Sequence, residues 1–356
     1  MRFGYWMPIF GGWLRNVLDE GMSITWPYIR DLVVDGERHG FDLTLIAELN
    51  LNDIKGHRAG ALDCWTLAPA VAAVTRDVEL MLAVRPNYHS PSLTAKAIST
   101  LDAIAPGRVS LNVVSSWWKD EAAQYGAPFD VHDARYARTR EWLEVLGRLL
   151  REETVTHHGV LYDLEGTVME PKPSRIPTIY MGGESPKAKE IISTYGDAYV
   201  MHGDPPEIIS GKVTDMNARR SALGLPPLRF GVSGYVICRD TEEAAQAELS
   251  RILDVHASPE AYASYRDFVE GSHLESEVSL REYSVSNRGL RAGLVGTPGQ
   301  IIDRIRAYED AGVDLMLLQF SPQHEEMARF GRDVIARYRG SITPRRPRTP
   351  SPSPPR

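Results

Sequence analysis

Short apolar runs alternate with longer segments of helical periodicity along most of the chain. Eight runs have the length and the continuous apolar character of strands that are buried on both faces. These runs are Arg2–Met7, Phe41–Ala47, Val78–Val84, Val109–Val114, Thr178–Met181, Ala198–Met201, Arg229–Ile237 and Val313–Phe320. Because parallel strands need a long crossover, which is usually a helix, this alternation predicts a parallel sheet covered by helices.

The segments between these runs carry apolar residues at helical spacing. In Thr25–His39, for example, Ile29 and Leu32 share one face, and Gly40 follows as a typical helix end. The other helical segments are Trp65–Thr75, Pro91–Ile104, Asp133–Arg151, Ser185–Thr194, Pro206–Ala222, Thr241–Leu253, Pro298–Ala311 and Pro322–Tyr338. Eight βα repeats favour an α/β fold of the (β/α)8 TIM-barrel type over an open doubly wound sheet, and no GxGxxG motif follows the first strand.

Three segments interrupt the alternation. Val155–Glu170 contains two short runs around a glycine and predicts a hairpin. The polar segment 257–294 lies just before the last βα unit, and its length and position predict a lid. The end of the chain, 341–356, is rich in proline, arginine and serine and predicts a disordered tail. We therefore expect a single barrel domain over residues 1–340, with the lid as an insertion.

Composition and charge narrow the functional classes. The 356 residues carry a formal net charge of −7, which disfavours binding to nucleic acid. No apolar run has the length of a membrane span, and the start of the chain lacks a signal-peptide pattern. The two cysteines, Cys64 and Cys238, are not spaced as metal ligands or as a disulfide framework. We therefore expect a cytoplasmic protein without a metal site or membrane association.

Candidate binding residues come from the ends of the strands, because the loops at the carboxyl ends form the active site in barrels of this type. These positions are rich in aromatic and amide side chains and carry few charges, which suits a flat ring held by stacking and hydrogen bonds. They include Trp6, Ile9, Ala47, Glu48, Arg85, Tyr88, Asn112, Trp117, Gln319 and Phe320.

A glycine-rich turn follows the strand Thr178–Met181. Gly182, Gly183 and Ser185 stand between that strand and the next helix, where backbone N–H groups and the helix dipole favour an anion. The serine hydroxyl can donate a hydrogen bond to the same anion. An ordinary tight turn in which Ser185 only caps the helix explains this pattern equally well.

The segment His132–Tyr136 opens the long fourth helix. Arg135 and Tyr136 lie within one helical turn of His132, and an arginine can bind a phosphate through two nitrogens. Taken alone, the segment is better explained as a solvated helix start that Asp133 caps.

Several stretches resemble the bacterial luciferase-like flavin monooxygenases, nearest the alkanesulfonate and dimethylsulfone monooxygenases and the pyrimidine-ring-opening monooxygenase. The resemblance runs from about Arg2 to Tyr338. The stretches that carry it are FGYWMPIFGGWL, LDAIAPGRVSLNVVSSWWKDEAAQYG, HDARYARTREWLEVL, PTIYMGGESPKAKE, YVMHGDPPEII and LVGTPGQIIDRIRAYEDAGVDLMLL.

The resemblance implies a luciferase-like (β/α)8 barrel that uses reduced FMN, supplied by a NAD(P)H-dependent flavin reductase, with O2 as co-substrate. It also implies a homodimer or homotetramer. Carried over by motif, the flavin-contacting positions are Ala47, Glu48, Asn112, Glu121, Arg135, Tyr136 and Ser185, the last with Gly182 and Gly183.

The departures from the family pattern concern the substrate. Where alkanesulfonate enzymes carry a basic residue and a histidine, this chain has Ser233 and Tyr235, and Phe320 replaces their tyrosine at the last strand. A sulfonate requires cationic partners. The remaining candidates for that role are Arg85, Arg288 and Arg291. A neutral sulfone, an amide or an N-heterocycle therefore stays open beside a sulfonate.

Two further groups of residues complete the sequence-based hypothesis. We expect Asn112, Arg291 and Trp6 to act at the reacting centre, with Arg291 closing over the substrate from the lid. The substrate pocket is expected to comprise Ile9, Arg85, Tyr88, Ser233, Tyr235 and Phe320. Two alternatives remain: a deazaflavin-dependent oxidoreductase of the same superfamily, and a flavin-binding subunit without turnover.

Overall fold

The computed structural model describes residues 1–15, 17, 19–253, 279, 282, 285 and 289–341. Its strands are β1 (Arg2–Trp6), β2 (Leu43–Ile46), β3 (Glu79–Val84), β4 (Val109–Val113), β5 (Val155–His158), β6 (Asp163–Thr167), β7 (Thr178–Met181), β8 (Ala198–Met201), β9 (Arg229–Tyr235), β10 (Ile237–Cys238), β11 (Val295–Gly296) and β12 (Leu315–Gln319). Eight of them form a closed barrel in the order β1-β12-β9-β8-β7-β4-β3-β2, with parallel pairing throughout. The predicted (β/α)8 barrel is confirmed.

Strand β1 closes the barrel by pairing with β2 on one side and β12 on the other. Tyr5 lies opposite Thr44 in β2 and Leu318 in β12. Gly4 lies in the same strand, and a Cβ atom there would come within 2.8 Å of the Leu43 side chain. The closing strand therefore leaves room for the bulky side chains that fill the barrel.

The barrel interior is a small, separate hydrophobic cluster. It is formed by Leu43, Leu45, Met81, Tyr180, Ala198, Leu315 and Leu317. Branched and bulky side chains of this kind make the inside of such a barrel a packed core rather than a pore. Trp6 and Val200 pack against this cluster and also line the cavity described below, so the packed interior forms the floor of that cavity.

Helices surround the barrel. They are α1 (Trp26–Arg38), α2 (Cys64–Val74), α3 (Pro91–Ile104), α4 (Lys119–Gln124), α5 (His132–Leu149), α6 (Pro186–Tyr195), α7 (Pro206–Ala222), α8 (Glu242–Leu253), α9 (Pro298–Asp310), α10 (Gln323–Phe330) and α11 (Ala336–Gly340). The predicted last helix, Pro322–Tyr338, is interrupted by a π-helical turn at Gly331–Ile335. The sequence did not predict α4, because its six residues are too few to show a helical period. Within the described ranges, every helix is too short or too polar to cross a lipid bilayer.

The predicted hairpin is confirmed as the antiparallel pair β5 and β6. Glu141 of α5 holds it in place by accepting hydrogen bonds from the backbone N–H groups of Leu161, at 3.0 Å, and Tyr162, at 2.9 Å. The expected lid, 257–294, lies mostly outside the described residues, and the tail lies outside them from 342 onward. The described end of the lid segment forms a 3-10 turn, Gly289–Ala292, which packs against β9.

Candidate active site

A cavity of about 300 Å³ opens at the carboxyl ends of the barrel strands, and each of the eight strands contributes a residue at or near its end. This is the position where barrels of this type place their active sites. Eleven of the predicted site residues line the cavity: Trp6, Ala47, Glu48, Arg85, Asn112, Arg135, Tyr136, Gly182, Gly183, Ser185 and Ser233.

The glycine–serine turn forms one wall of the cavity. Ser185 is the N-cap of α6, and its hydroxyl oxygen accepts a hydrogen bond from the Ala188 backbone N–H at 3.1 Å. Gly183 has a φ of +142°, and an added Cβ atom would lie 2.7 Å from the Ala188 Cβ. The capping interpretation is therefore correct. It leaves the anion interpretation possible, because a hydroxyl that accepts one hydrogen bond still has a proton to donate.

Tyr136 stands beside this turn. Its hydroxyl oxygen is 3.6 Å from the position that a Cβ atom on Gly183 would take. Burial raises the pKa of Tyr136, while a hydrogen bond with Ser185 and the charge of Arg135 work in the opposite direction. The phenol is therefore protonated near neutral pH and is available as a hydrogen-bond donor.

Arg135 lines the same cavity. Its guanidinium lies 4.5 Å above the Phe129 ring, and one terminal nitrogen donates to the Asp130 carbonyl oxygen at 3.3 Å. The Nε–H group is buried and has no hydrogen-bond partner among the described residues. A buried donor without a partner costs about 1–3 kcal/mol, so this N–H group would gain from an acceptor on a bound ligand.

A second buried donor without a partner in the described part of the chain is Nε1 of Trp6. The Trp6 ring meets the Trp13 ring edge to face, with centroids 6.4 Å apart, and both side chains line the cavity. Asn112, Ser233 and Gln319 line it as well. This part of the lining is aromatic and neutral, as expected for a site that holds a planar ring.

Arg85 is the centre of a buried charged cluster. Its guanidinium forms ion pairs with both oxygens of Glu121, one of them at 3.2 Å, and with Glu48 at 3.4 Å. Tyr88 lies under the guanidinium at 4.2 Å, and His89 contacts the other oxygen of Glu48. Burial opposes the charged form of Arg85, but the two carboxylates outweigh it and raise the pKa of Arg85. Two carboxylates therefore neutralise the cation that was expected to bind a substrate.

Six predicted site residues lie away from the cavity lining among the described residues: Ile9, Tyr88, Glu121, Tyr235, Arg291 and Phe320. Ile9, Tyr235 and Phe320 are buried in the hydrophobic core. Phe320 follows Gln319, which lines the cavity, and neighbours in an extended chain point to opposite sides. Glu121 is fully buried, so it touches Arg85 rather than the cavity.

Arg291 also lies outside the lining. It pairs with Glu282, with Nη2 3.1 Å from Oε2, and with Asp204 at 3.6 Å. Arg288, the third cationic candidate, lies outside the described residues.

The structure adds residues that the sequence did not identify. His202 lines the cavity directly after β8, where the same strand-end rule would have found it. Ser116, which the strand-end rule does identify in the sequence, also lines it, and its φ of 54° is a left-handed value that is uncommon for serine and frequent at functional sites. Asp53, from the long loop after β2, lines it while paired with Arg15 at 2.9 Å. In the described ranges, no group of three or more potential metal ligands was found.

Comparison with known proteins shows similarity to one family of monooxygenases in both sequence and fold. The family model for luciferase-like monooxygenases matches residues 1–315. The chain is 33% identical over 347 residues to an FMNH2-dependent dimethylsulfone monooxygenase of Pseudomonas putida, covering 94% of each protein. It is 30% identical to the protein of the same name from Pseudomonas fluorescens (strain Pf0-1), covering 94% of this chain and 93% of that one. Among solved structures, long-chain alkane monooxygenase (LadA) superposes with a TM-score of 0.81 at 19% identity, over 96% of this chain and 91% of that one.

Proposed function

This chain belongs to the luciferase-like monooxygenase family, and from that membership we propose that it is a two-component enzyme that uses reduced FMN and O2 to oxygenate a small neutral sulfone. A separate NAD(P)H-dependent flavin reductase would supply the reduced flavin. When bound, reduced FMN supplies the electrons that activate O2, so that one oxygen atom enters the substrate and the other leaves as water.

The cavity residues fit this cofactor. Arg135 has an unsatisfied buried N–H group, and the hydrogen-bonded pair of Ser185 and Tyr136 has one hydroxyl proton left to donate beside a glycine turn at a helix start. This donor set suits the phosphate. Trp6 and Asn112, with the rest of the neutral, aromatic lining, would hold the ring and keep bulk water from it.

The charge distribution supports a neutral substrate. Arg85 is only 2% exposed and is paired with two carboxylates, so it has little capacity to stabilise a sulfonate. Ser233 lines the cavity. By the family resemblance, alkanesulfonate enzymes carry a basic residue in this stretch of the sequence, and the neutral serine removes that charge. This neutralisation of Arg85 is the single observation that carries the substrate proposal. Both curated relatives described above are named for dimethylsulfone, which is uncharged.

The activity test combines the protein with a flavin reductase, FMN, NADH and air. Dimethylsulfone, an alkanesulfonate, an amide and an N-heterocycle are supplied in parallel, and products are identified by mass spectrometry. We expect oxygenated product from the sulfone, with the reductase alone as the background. Faster conversion of the alkanesulfonate would contradict the neutral-substrate proposal. Turnover without O2 on a reduced deazaflavin would instead support the hydride-transfer alternative, and no turnover of any kind would support the non-catalytic subunit.

We propose one catalytic barrel over residues 1–340 in the cytoplasm, as the pattern and composition of the sequence predict, and assembly as a homodimer or homotetramer, as the family resemblance implies. The two cysteines are buried free thiols, which agrees with a reducing compartment. Light scattering on the purified protein measures the assembly directly, and a monomeric mass at micromolar concentration would contradict it.

A further inference from the structure

Lys212 joins two successive loops at the mouth of the barrel. This lysine lies on α7 and is only 7% exposed. Its ammonium group is 3.0 Å from a carboxylate oxygen of Glu184, in the loop after β7, and 2.9 Å from one of Asp204, in the loop after β8. A buried lysine with two carboxylate partners is costly to place, so its position calls for a specific explanation.

Glu184 is the residue that makes this contact important for the cavity. It stands between Gly183 and Ser185 in the turn that lines the proposed phosphate site, and it lines the cavity itself. A carboxylate in such a turn makes the electrostatic potential more negative at the place where a phosphate would bring about two further negative charges. The nearby ammonium group opposes that potential.

The lysine keeps its charge despite its burial. Burial opposes the charged form, but the hydrogen bond with Asp204 and the charge of Glu184 outweigh it, so that the pKa of Lys212 is raised. Asp204 is itself held firmly, because its carbonyl oxygen accepts a hydrogen bond from the Tyr308 hydroxyl at 2.7 Å. The ammonium group is therefore a permanent charge in a defined place.

We propose that Lys212 is a positioning residue that offsets the charge of Glu184 and thereby allows the glycine–serine turn to accept a phosphorylated flavin. This inference rests on the proposed function, since it concerns the phosphate of FMN. It assigns the lysine no contact with the flavin, and its effect passes entirely through Glu184.

The test compares the dissociation constants of FMN and riboflavin, measured by flavin fluorescence at one ionic strength. Riboflavin shares the ring but lacks the phosphate, so the ratio of the two constants isolates the phosphate subsite. For Lys212→Met we expect FMN affinity to fall about tenfold, with riboflavin affinity nearly unchanged. Lys212→Arg is the matched control and should keep most of the wild-type ratio.

Two further variants separate charge compensation from a purely structural role. The double variant Lys212→Met/Glu184→Gln should recover most of the FMN preference, because the repelling charge is also removed. Glu184→Gln alone keeps the lysine and should increase the preference for FMN over riboflavin. This single variant decides the question even if Lys212→Met does not fold.

Parallel loss of FMN and riboflavin affinity in Lys212→Met would show a structural role and overturn the inference. An unchanged ratio in Glu184→Gln would overturn it as well. Failure of the proposed function gives a different result, because the wild-type protein would then bind FMN no better than riboflavin.

Discussion

Arg85 and Glu121 form a buried ion pair in which both terminal guanidinium nitrogens meet the same carboxylate, Nη2 lying 3.2 Å from Oε1. The two residues come from neighbouring βα units. Because Glu121 is fully buried and Arg85 is only 2% exposed, little water can reach the pair to replace either partner.

Removing one partner of this pair should destabilise the protein strongly. For Glu121→Ala we expect the free energy of unfolding to fall by about 3–5 kcal/mol, because Arg85 loses its two-pronged partner in a buried place. Urea denaturation followed by circular dichroism measures the change. Glu152→Ala, which removes an exposed ion pair with Arg148, is the control and should change stability little. Equal effects of the two substitutions would show that burial does not govern the pair.

Glu48→Gln should make the cavity more tolerant of anions. The substitution removes one negative charge from the lining while it keeps the size of the side chain. An alkanesulfonate should then inhibit the oxygenation of a neutral sulfone at about tenfold lower concentration than in the wild type. Steady-state inhibition constants measure this effect. A neutral competitor of similar size should show no comparable gain, and an unchanged constant for the sulfonate would contradict the electrostatic argument.

Arg135→Lys should weaken FMN binding while it preserves the charge. A lysine lacks the Nε–H group that is unsatisfied in the structure, and it cannot form a planar two-nitrogen contact with phosphate. We expect a severalfold loss of FMN affinity, a larger loss in Arg135→Ala, and little change for riboflavin in either variant. Flavin fluorescence titration provides the constants. Wild-type FMN affinity in Arg135→Ala would place the phosphate elsewhere.

Gly183→Ala should destabilise the protein for two reasons that are specific to this position. The φ of +142° disfavours any side chain, and the new Cβ atom would lie 2.7 Å from the Ala188 Cβ. We expect a loss of about 1–3 kcal/mol in the free energy of unfolding. Gly211→Ala is the control, because Gly211 lies in α7 with no atom within 4 Å of the new Cβ. That substitution should be neutral or stabilising by up to about 1 kcal/mol, and thermal melts compare the two.

The ion pair between Glu282 and Arg291 should make the stability of the fold depend on pH in the acidic range. The hydrogen bond with Arg291 lowers the pKa of Glu282 from 4.5 to about 2. A carboxyl group with a lowered pKa stabilises the fold above its unfolded value and loses that contribution as the pH falls toward the folded value. The melting temperature of the wild type should therefore exceed that of Glu282→Gln at pH 7, with a difference that shrinks between about pH 5 and pH 2. A constant difference over this range would contradict the assignment.

The barrel was predictable because each strand had to be apolar over its whole length, and that requirement is visible in a few consecutive residues. The turn Gly182–Ser185 was predictable for the same reason, since its glycines and its capping serine are neighbours in the chain. The strand-end rule placed Trp6 and Asn112 at the mouth of the barrel, where both line the cavity.

The sequence by itself thus determined the architecture and the end of the barrel at which the cavity opens. The tertiary structure alone decided the electrostatics: Arg85 is neutralised by Glu121, which lies 36 residues away, and Lys212 bridges two different loops. Only the tertiary structure shows that Phe320 lies in the hydrophobic core and that Arg291 pairs with Asp204 outside the cavity lining. Such relationships depend on distances between side chains from separate βα units, and the spacing of residues along the chain does not encode those distances.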